Sequence, residues 1–311
     1  MTFTTHNTLH KRHQHNIKQI RNILRQNNLT ITKADKSKSI IIISKSMLKQ
    51  KVDDFIQKNH ISCLNKVPTD TYQKQIQHVI QKCNMQIDKH TPKYLINIKP
   101  MAPTLNVYIK THKENKPIRP VVNNTHAPVY KTAKYLNKKL NNLLNLPCTY
   151  TTRNALEVVE ELKTIHFGEH MKIITLDIKD LYVDLPIQGI LQTMKFWLSK
   201  HNNTSTIIEQ ILQLLETILK QNNFQYNGYL LRPQKGIAMD SPISSTIGEN
   251  YIQFLKELYV KQWLDSRQIL YYKRYVDDIL IIYNQDKTKE QDILNHAINI
   301  DKHLQFKMST E

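Results

Sequence analysis

The sequence predicts an α+β protein in which short β-rich runs alternate with amphipathic helices. Strands are indicated by runs rich in β-branched and aromatic residues, with an alternating or continuous apolar pattern. The stretches between these runs carry apolar residues three or four positions apart, which is the spacing of a helix with one buried face. An Asn-Gly pair at 227–228 lies between two of the runs and predicts a tight hairpin of the type I′ kind.

The N-terminal half is predicted to begin with a helix and two short strands. Ile17, Ile20 and Leu24 have helical spacing, and LTITKADKSKSIIIIS at 29–44 indicates two strands around a Lys-rich turn. The run LNVYIKTHKENKPIRPVV at 105–122 predicts a basic β-hairpin, because a charged turn joins two apolar-alternating stretches. The helices predicted in this half span 11–28, 46–59, 69–89, 129–145 and 153–164.

The C-terminal half is predicted to hold two strands that carry acidic residues. MKIITLD at 171–177 has the pattern of a buried strand ending in Asp177, and ILYYKRYVDDILIIY at 269–283 indicates two strands hinged at Asp277 and Asp278. Ser241 followed by Pro242 predicts an N-cap and a first-turn proline for a helix that ends near 264. The other elements predicted here are helices at 187–200, 205–221 and 287–303, a hairpin at 224–231 and a strand at 304–309.

Charge is distributed unevenly along the chain. The net charge is +18, yet residues 1–150 hold 26 Lys and Arg against 6 Asp and Glu, whereas residues 151–311 hold 18 against 20. A strongly cationic surface binds phosphate backbones because it releases condensed counterions. A solvated surface in a Lys-rich chain is the alternative. With only five glycines, the chain has neither a P-loop nor a dinucleotide-binding glycine motif, which argues against those nucleotide-binding classes.

The Asp277-Asp278 pair differs from an ordinary acidic pair in its apolar surroundings. Adjacent carboxylates at a strand turn repel each other, and a divalent cation relieves this repulsion. If Asp177 lies beside the 277–278 turn, the three carboxylates suit two Mg²⁺ ions, since hard cations prefer oxygen ligands. From spacing alone, the alternative of ordinary turn aspartates stays open.

Several motifs resemble those of reverse transcriptases and occur in the same order as in that family. YVDD at 275–278 is similar to the Tyr-x-Asp-Asp box, DIKDLYVDLP at 177–186 to motif A, QKGIAMDSPISSTIGENY at 234–251 to motif B, and RPVV at 119–122 to the preceding motif. Two further stretches resemble the enzymes of Penelope-like retroelements. These are ITKADKSKS at 31–39 and KTHKENKPIRPVV at 110–122.

The resemblance implies a right-hand polymerase with fingers and an antiparallel palm sheet. It implies that Asp177, Asp277 and Asp278 are the catalytic carboxylates that bind Mg²⁺, or Mn²⁺ in its place. Tyr182 matches the aromatic gate that rejects a ribose 2′-hydroxyl, although a core aromatic is the alternative. The remaining implied nucleotide-binding residues are Lys110 and Arg119 of the basic hairpin, which match triphosphate ligands, and Gly236, Ser241 and Pro242 of motif B.

The implied activity is an RNA-directed DNA polymerase of a retroelement. Its partners would be an RNA template, a DNA primer and deoxynucleoside triphosphates. Motif B departs from the family because Asp240 replaces a glycine, which adds a negative charge where nucleic acid approaches. Two alternatives therefore remain. One is a catalytically decayed fragment that only binds nucleic acid, and the other is an RNA-directed RNA polymerase, against which Tyr182 argues.

The sequence also predicts how the chain is divided and where the protein works. We expect a basic N-terminal region over 1–89, fingers over 90–170 and a palm over 171–311, with no thumb after it. Cys63, Cys83 and Cys148 lack metal-ligand spacing, and no run is long enough to span a membrane, so we expect a soluble intracellular protein. Work on chromosomal DNA would require a nuclear location. The oligomeric state is not predicted.

Overall fold

The computed structural model describes residues 3–83, 92–144, 146, 150–266 and 269–310. Cys148 and the predicted helical residues 84–89 lie outside these ranges. In chain order, the first elements are α1 (Phe3–Gln26), β1 (Leu29–Ala34), β2 (Ile40–Ser44), α2 (Lys45–Lys58), β3 (Ser62–Cys63), α3 (Thr69–Lys82), α4 (Pro92–Leu95), β4 (Thr104–Ile109), β5 (Ile118–Asn123), α5 (Tyr130–Leu143) and α6 (Ala155–Leu162).

The second half alternates strands with longer helices. Its elements are β6 (Met171–Lys179), α7 (Leu181–Asp184), α8 (Ile187–Lys200), α9 (Ser205–Lys220), β7 (Phe224–Tyr226), β8 (Tyr229–Arg232), α10 (Ser244–Leu255), a π-helical segment (Lys256–Val260), α11 (Lys261–Ser266), β9 (Ile269–Tyr275), β10 (Asp278–Asn284), α12 (Glu290–Ile300) and β11 (Gln305–Thr310). The mixture of helices and strands confirms the predicted α+β class.

A four-stranded antiparallel sheet has the strand order β11-β6-β10-β9. Its apolar side chains pack into the main core together with the long helices of the second half and with α3 and α5. Trp197 on α8 is fully buried there, and its indole nitrogen donates to the carbonyl of Asn250 on α10. The sheet is therefore supported from one side by packed helices, which is the arrangement expected of an α+β fold.

A seven-stranded sheet has the order β2-β1-β4-β7-β8-β3, and β5 pairs with β4 outside this path. The pairs β1–β4 and β4–β7 are parallel, whereas the β4–β5 pair forms the predicted basic hairpin. The strands of this sheet come from all three regions predicted from the sequence, because β7 and β8 lie beyond residue 171. The proposed domain boundaries stay a prediction.

Local differences from the predicted elements have identifiable causes. The strand β6 runs past Asp177 to Lys179, because β11 pairs with it up to that residue. The helix predicted from Ser241 begins at Ser244 instead, so the predicted cap is wrong. In the preceding turn the amide of Ser241 donates to Ala238 and the amide of Ser244 donates to Ser241. These turn hydrogen bonds replace the helical ones.

The Asn227-Gly228 hairpin is confirmed. Both residues have positive φ, 48° and 83°, as a type I′ turn requires. Separately, none of the helices in the described ranges has the length and apolar character needed to cross a membrane.

Candidate nucleotidyl-transfer site

The acidic residues of the four-stranded sheet meet at one end of the β9–β10 hairpin. Asp278 is the first residue of β10, and its register partner on β6 is Asp177. Directly opposed residues of antiparallel strands project from the same face, so these two side chains are neighbours. Asp277 lies in the two-residue turn, and its carbonyl accepts a hydrogen bond of 2.9 Å from the amide of Ile178. The sheet thus brings the backbone positions of the three predicted acids to one end of the hairpin.

The turn that carries Asp277 has an unfavourable backbone conformation. Val276 has a φ of +54°, which is rare for a β-branched residue because its Cβ crowds the backbone. The Val276 carbonyl accepts a 2.8 Å hydrogen bond from the guanidinium of Arg274, which is 2% exposed. The same guanidinium donates to Glu249 at 2.6 Å. Arg274 therefore ties the turn to α10 and holds it in this conformation.

Further hydrogen bonds on α10 and on the π-helical segment that follows it support Arg274. The Gln253 amide donates to Glu249 at 3.0 Å, and the buried ammonium of Lys256 donates to Gln253. Burial lowers the pKa of Lys256, which Glu257 opposes. Buried charges persist only when they are paired, and these residues form one connected network behind the acidic turn. Arg274 was not among the residues predicted from the sequence, although an arginine within an apolar strand run was a usable signal.

The charges at the acidic turn repel each other. Burial raises the pKa of Asp278, and the neighbouring carboxylates of Asp277 and Asp177 raise it further. The charges of Lys36 and Lys113 act in the opposite direction. These two lysines belong to the turns of two separate hairpins, so cationic side chains lie within electrostatic reach of the carboxylates.

The donor set suits a hard divalent cation, which carboxylate oxygens bind in preference to soft metals. In the part of the chain that the structure describes, however, no three His, Cys, Asp or Glu side chains form a compact metal-binding group. The residues fit the metal in type and backbone position, and binding would require their side chains to converge.

Tyr182 lies on α7, immediately after the strand that carries Asp177. Its ring is half-buried against Gly248 of α10, and a Cβ added at Gly248 would lie 3.0 Å from Tyr182 Cε1. Burial, together with the charges of Asp277 and Glu249, raises the pKa of the Tyr182 phenol, so the ring stays neutral. The ring therefore lies near the acidic turn in a defined position, as a steric gate requires. Core packing and gating are compatible here.

Gly236 of motif B supports motif A rather than facing open space. A Cβ at this position would lie 2.3 Å from the Val183 carbonyl oxygen and 2.8 Å from that of Tyr182. The amide of Ile237 also donates to the Tyr182 carbonyl at 2.7 Å. Gly236 has a φ of +81°, which glycine adopts without strain. The glycine thus allows the two motifs to pack backbone against backbone.

Gly236→Ala is expected to destabilise the protein by roughly 2–4 kcal/mol, because the new Cβ meets a carbonyl oxygen and the positive φ is unfavourable. Urea denaturation measures the change. Gly228→Ala is the matched control, since Gly228 has a similar φ of +83° and nothing among the described residues lies within 4 Å of the added Cβ. It should cost only the backbone term of about 1–2 kcal/mol. Equal losses in the two variants would contradict the packing role of Gly236.

The other motif B residues lie in the turn that precedes α10. Ser241 and Pro242 are partly buried, whereas Asp240 is exposed. The Ser244 hydroxyl donates to the Ala238 carbonyl at 2.6 Å and closes the turn. Among the residues that the structure describes, no ion pair involves the exposed Asp240 side chain.

Arg119 lies on β5 of the basic hairpin, and Lys110 directly follows β4. Arg119 is paired in register with Tyr108, and Lys110 follows the last residue of β4. Burial lowers the pKa of Lys110, and the charges of Lys113 and Arg119 lower it further. Asp180, which follows β6, opposes this shift. The cationic hairpin is thus brought close to the end of the strand that carries Asp177.

The arrangement of the two sheets can be compared with that of solved structures, and the comparison defines the class of fold. The chain has a reverse-transcriptase-like polymerase fold, which confirms the predicted right-hand fingers and palm with an antiparallel palm sheet. This follows from comparison with solved telomerase structures. One is apo telomerase from Candida tropicalis truncated from its C-terminal domain, with a TM-score of 0.57 and 12% identity over 90% of this chain. Another is telomerase from Candida albicans in complex with the TWJ fragment of telomeric RNA, with a TM-score of 0.56 and 13% identity over 94% of this chain.

The chain spans 59% and 51% of the lengths of these two telomerase chains. At such low identity the similarity defines the fold alone. No protein-family model and no curated protein sequence matches the chain.

Proposed function

We propose that this chain is the catalytic core of a reverse transcriptase that adds deoxynucleotides to a DNA primer on an RNA template. The observation that carries the proposal is the register pair of Asp177 and Asp278 beside Asp277 in a tight turn. Burial raises the pKa of Asp278, and the carboxylates of Asp277 and Asp177 raise it further, as expected where negative charges lie close together. Such a cluster costs stability unless a cation or substrate compensates it, and functional sites are where such costs are found.

The chemistry that Mg²⁺, or Mn²⁺ in its place, supplies at such a site is activation of the primer 3′-hydroxyl and stabilisation of the leaving pyrophosphate. Asp177, Asp277 and Asp278 would hold these ions and orient the reacting groups. Lys110 and Arg119 would bind the triphosphate, where their charges offset the charge that develops during transfer. The Tyr182 ring would exclude a 2′-hydroxyl and so select deoxynucleotides.

The choice of RNA as template and of a retroelement as source rests on different support. RNA is favoured because one similar structure is a telomerase in complex with an RNA fragment. The cationic N-terminal half, at 26 Lys and Arg against 6 Asp and Glu, suits a nucleic-acid backbone. The stretches at 31–39 and 110–122 support an enzyme of a Penelope-like retroelement, which would work on chromosomal DNA in the nucleus.

A catalytically decayed nucleic-acid binder is the second candidate, and Asp240 favours it. This exposed carboxylate lies in the motif B turn, where it would repel a template phosphate. The retained Asp177, Asp277 and Asp278 favour the enzyme instead. An RNA-directed RNA polymerase is disfavoured by Tyr182, since an enzyme that uses ribonucleotides gains nothing from an aromatic gate.

Primer extension on an annealed RNA template tests the proposal. With Mg²⁺ or Mn²⁺, the wild type is expected to incorporate deoxynucleotides and to disfavour ribonucleotides. Asp277→Asn should lose this activity. Asp54→Asn is the matched control, because Asp54 is an exposed residue of a second Asp-Asp pair on α2 and its replacement makes the same change in charge.

If the wild-type protein binds labelled RNA but never extends the primer, the result favours the catalytically decayed nucleic-acid binder. Asp240→Gly would then be the next variant, since it removes the charge from motif B. Extension that prefers ribonucleotides would favour the RNA polymerase. Equal loss in Asp54→Asn and Asp277→Asn would show that the effect is not specific to the acidic turn.

A further inference from the structure

The turn between β1 and β2 contains a buried acid, Asp35, that has no role in the site proposed above. Asp35 is 6% exposed, and its amide donates to the carbonyl of Ile109, the last residue of β4, at 2.8 Å. One carboxylate oxygen lies 3.2 Å from Nε of Arg119. The other oxygen, Oδ2, is buried and has no hydrogen-bond partner among the described residues. A buried carboxylate lowers the stability of a protein unless an opposite charge compensates it. We therefore expect Asp35 to have a specific role at this position.

The contact between Asp35 and Arg119 is held by charge. The Arg119 Nε lacks a hydrogen bond of good geometry among the described residues, although its distance from Asp35 is that of an ion pair. Arg119 is 40% exposed, so its guanidinium is still reachable from solvent. Because Asp35 contacts the guanidinium through Nε, the Nη nitrogens can serve to bind phosphate oxygens in a bidentate manner.

Sheet topology brings this turn to the same edge as the basic hairpin. The strands β1 and β4 are parallel, with Ala34 opposite Ile109. The segments that follow these residues therefore leave the sheet in the same direction; Asp35 and Lys36 begin the first, and Lys110 begins the second. Lys36 is exposed and has a φ of +54°, an uncommon conformation for a long side chain. Its charge also acts on Asp278, as does that of Lys113.

We propose that the β1–β2 turn is part of the triphosphate-binding site, in which Lys36 binds a phosphate oxygen and Asp35 positions Arg119. The inference rests on the proposed nucleotidyl transfer and names additional residues of the same site. Lys36 is a direct ligand of the nucleotide. Asp35 is a positioning residue, because a carboxylate would repel the phosphates and acts only through the guanidinium that it orients.

Equilibrium binding of a deoxynucleoside triphosphate to the protein on a primer–template with a dideoxy 3′-end tests both roles without requiring catalysis. Lys36→Ala should weaken triphosphate binding about tenfold, the scale of one charge-assisted contact. Binding of the corresponding monophosphate and of the primer–template should be unchanged. Lys38→Ala is the matched control, because Lys38 is an exposed lysine of the same turn. It should bind the triphosphate like the wild type.

A double-mutant cycle tests Asp35. Asp35→Asn should weaken triphosphate binding in the wild-type background but not in Arg119→Ala, where no guanidinium is left to position. An additive loss in the double variant would overturn the positioning role. A melting curve of Asp35→Asn separates misfolding from lost binding. If Asp35→Asn does not fold, triphosphate binding by Arg119→Ala still tests whether the guanidinium that Asp35 would position binds the nucleotide.

The outcomes also separate this inference from the proposed function. Wild-type protein that extends primers while Lys36→Ala binds triphosphate normally would overturn the inference and leave the polymerase assignment intact. Protein that binds triphosphate through Lys36 but never extends a primer would support the inference and contradict the enzyme assignment. If Lys36→Ala lost monophosphate and triphosphate binding equally, Lys36 would not bind the two phosphates that only the triphosphate carries, and the inference would be overturned.

Discussion

Asp278→Asn is expected to lower nucleotide addition by about three orders of magnitude, since metal-assisted charge stabilisation contributes several kcal/mol to the transition state. The same change should raise the melting temperature of the metal-free protein by a few degrees. The expected rise in melting temperature has an electrostatic cause, because burial and the carboxylates of Asp277 and Asp177 raise the pKa of Asp278. Asparagine removes one charge of this repelling set and keeps the shape of the side chain.

The sign of the pH effect follows from the raised pKa. The folded chain holds the Asp278 proton more tightly than the unfolded chain does, so this group contributes stability below its unfolded pKa. That contribution is lost as the pH rises through the folded-state value. The wild type should therefore lose more stability than Asp278→Asn between acidic and neutral pH. The Asp278 side chain is exposed to solvent, which limits the size of this effect.

Single-turnover primer extension and thermal melting with and without Mg²⁺ measure both effects. Mg²⁺ should stabilise the wild type, because a cation that binds only the folded state shifts the equilibrium towards it. The stabilisation should be smaller in Asp278→Asn and unchanged in Asp54→Asn, which alters the same charge away from the sheet. Activity in Asp278→Asn within tenfold of the wild type would contradict the assignment of the catalytic carboxylates.

Tyr182→Ala is expected to reduce the preference for deoxynucleotides over ribonucleotides by roughly 10–100-fold, the range that steric discrimination in a pocket provides. The ring is held against Gly248 of α10 and lies near Asp277, so it can block a 2′-hydroxyl without moving. The ratio of kcat/KM values for the two nucleotide types is the measurement. A change in the ratio distinguishes a gate from a residue that only supports the fold.

Tyr182→Phe is the matched control for the gate. It keeps the ring and removes only the hydroxyl, so the preference for deoxynucleotides should be retained. If Tyr182→Ala instead lowered both activities equally and lowered the melting temperature, the ring would be a packing residue. The selection against ribonucleotides would then have to come from another group.

The elements that local chemistry dictates were predictable from the sequence. The Asn227-Gly228 pair specifies a type I′ turn by itself, because these residues tolerate positive φ. The hairpin at 105–122 was predictable because its apolar alternation and charged turn are both local. The strands around Asp277 and Asp278 were predictable for the same reason, and the order of the motifs predicted the class of fold.

Two predicted element boundaries differ from the structure, one because of a competing local turn and one because of a distant strand. Ser241 and Pro242 have the chemistry of a helix start, yet turn hydrogen bonds delay the helix to Ser244. The strand β6 continues past Asp177 because β11, more than a hundred residues later, supplies its hydrogen-bond partners. The pairing with β11 has no signal within a local window, since side-chain pattern does not reveal which partner a backbone group will find.

The sequence by itself determined the acidic and basic residues of the candidate site and the strands and turns that carry them. Only the tertiary structure decided that Asp177 faces Asp278, that Arg274 braces the acidic turn and that Asp35 lies against Arg119. The physical reason is that register and burial depend on contacts between residues far apart in the chain. A carboxylate has the same local sequence signature whether solvent surrounds it or a guanidinium lies beside it, and only the packed fold makes that distinction.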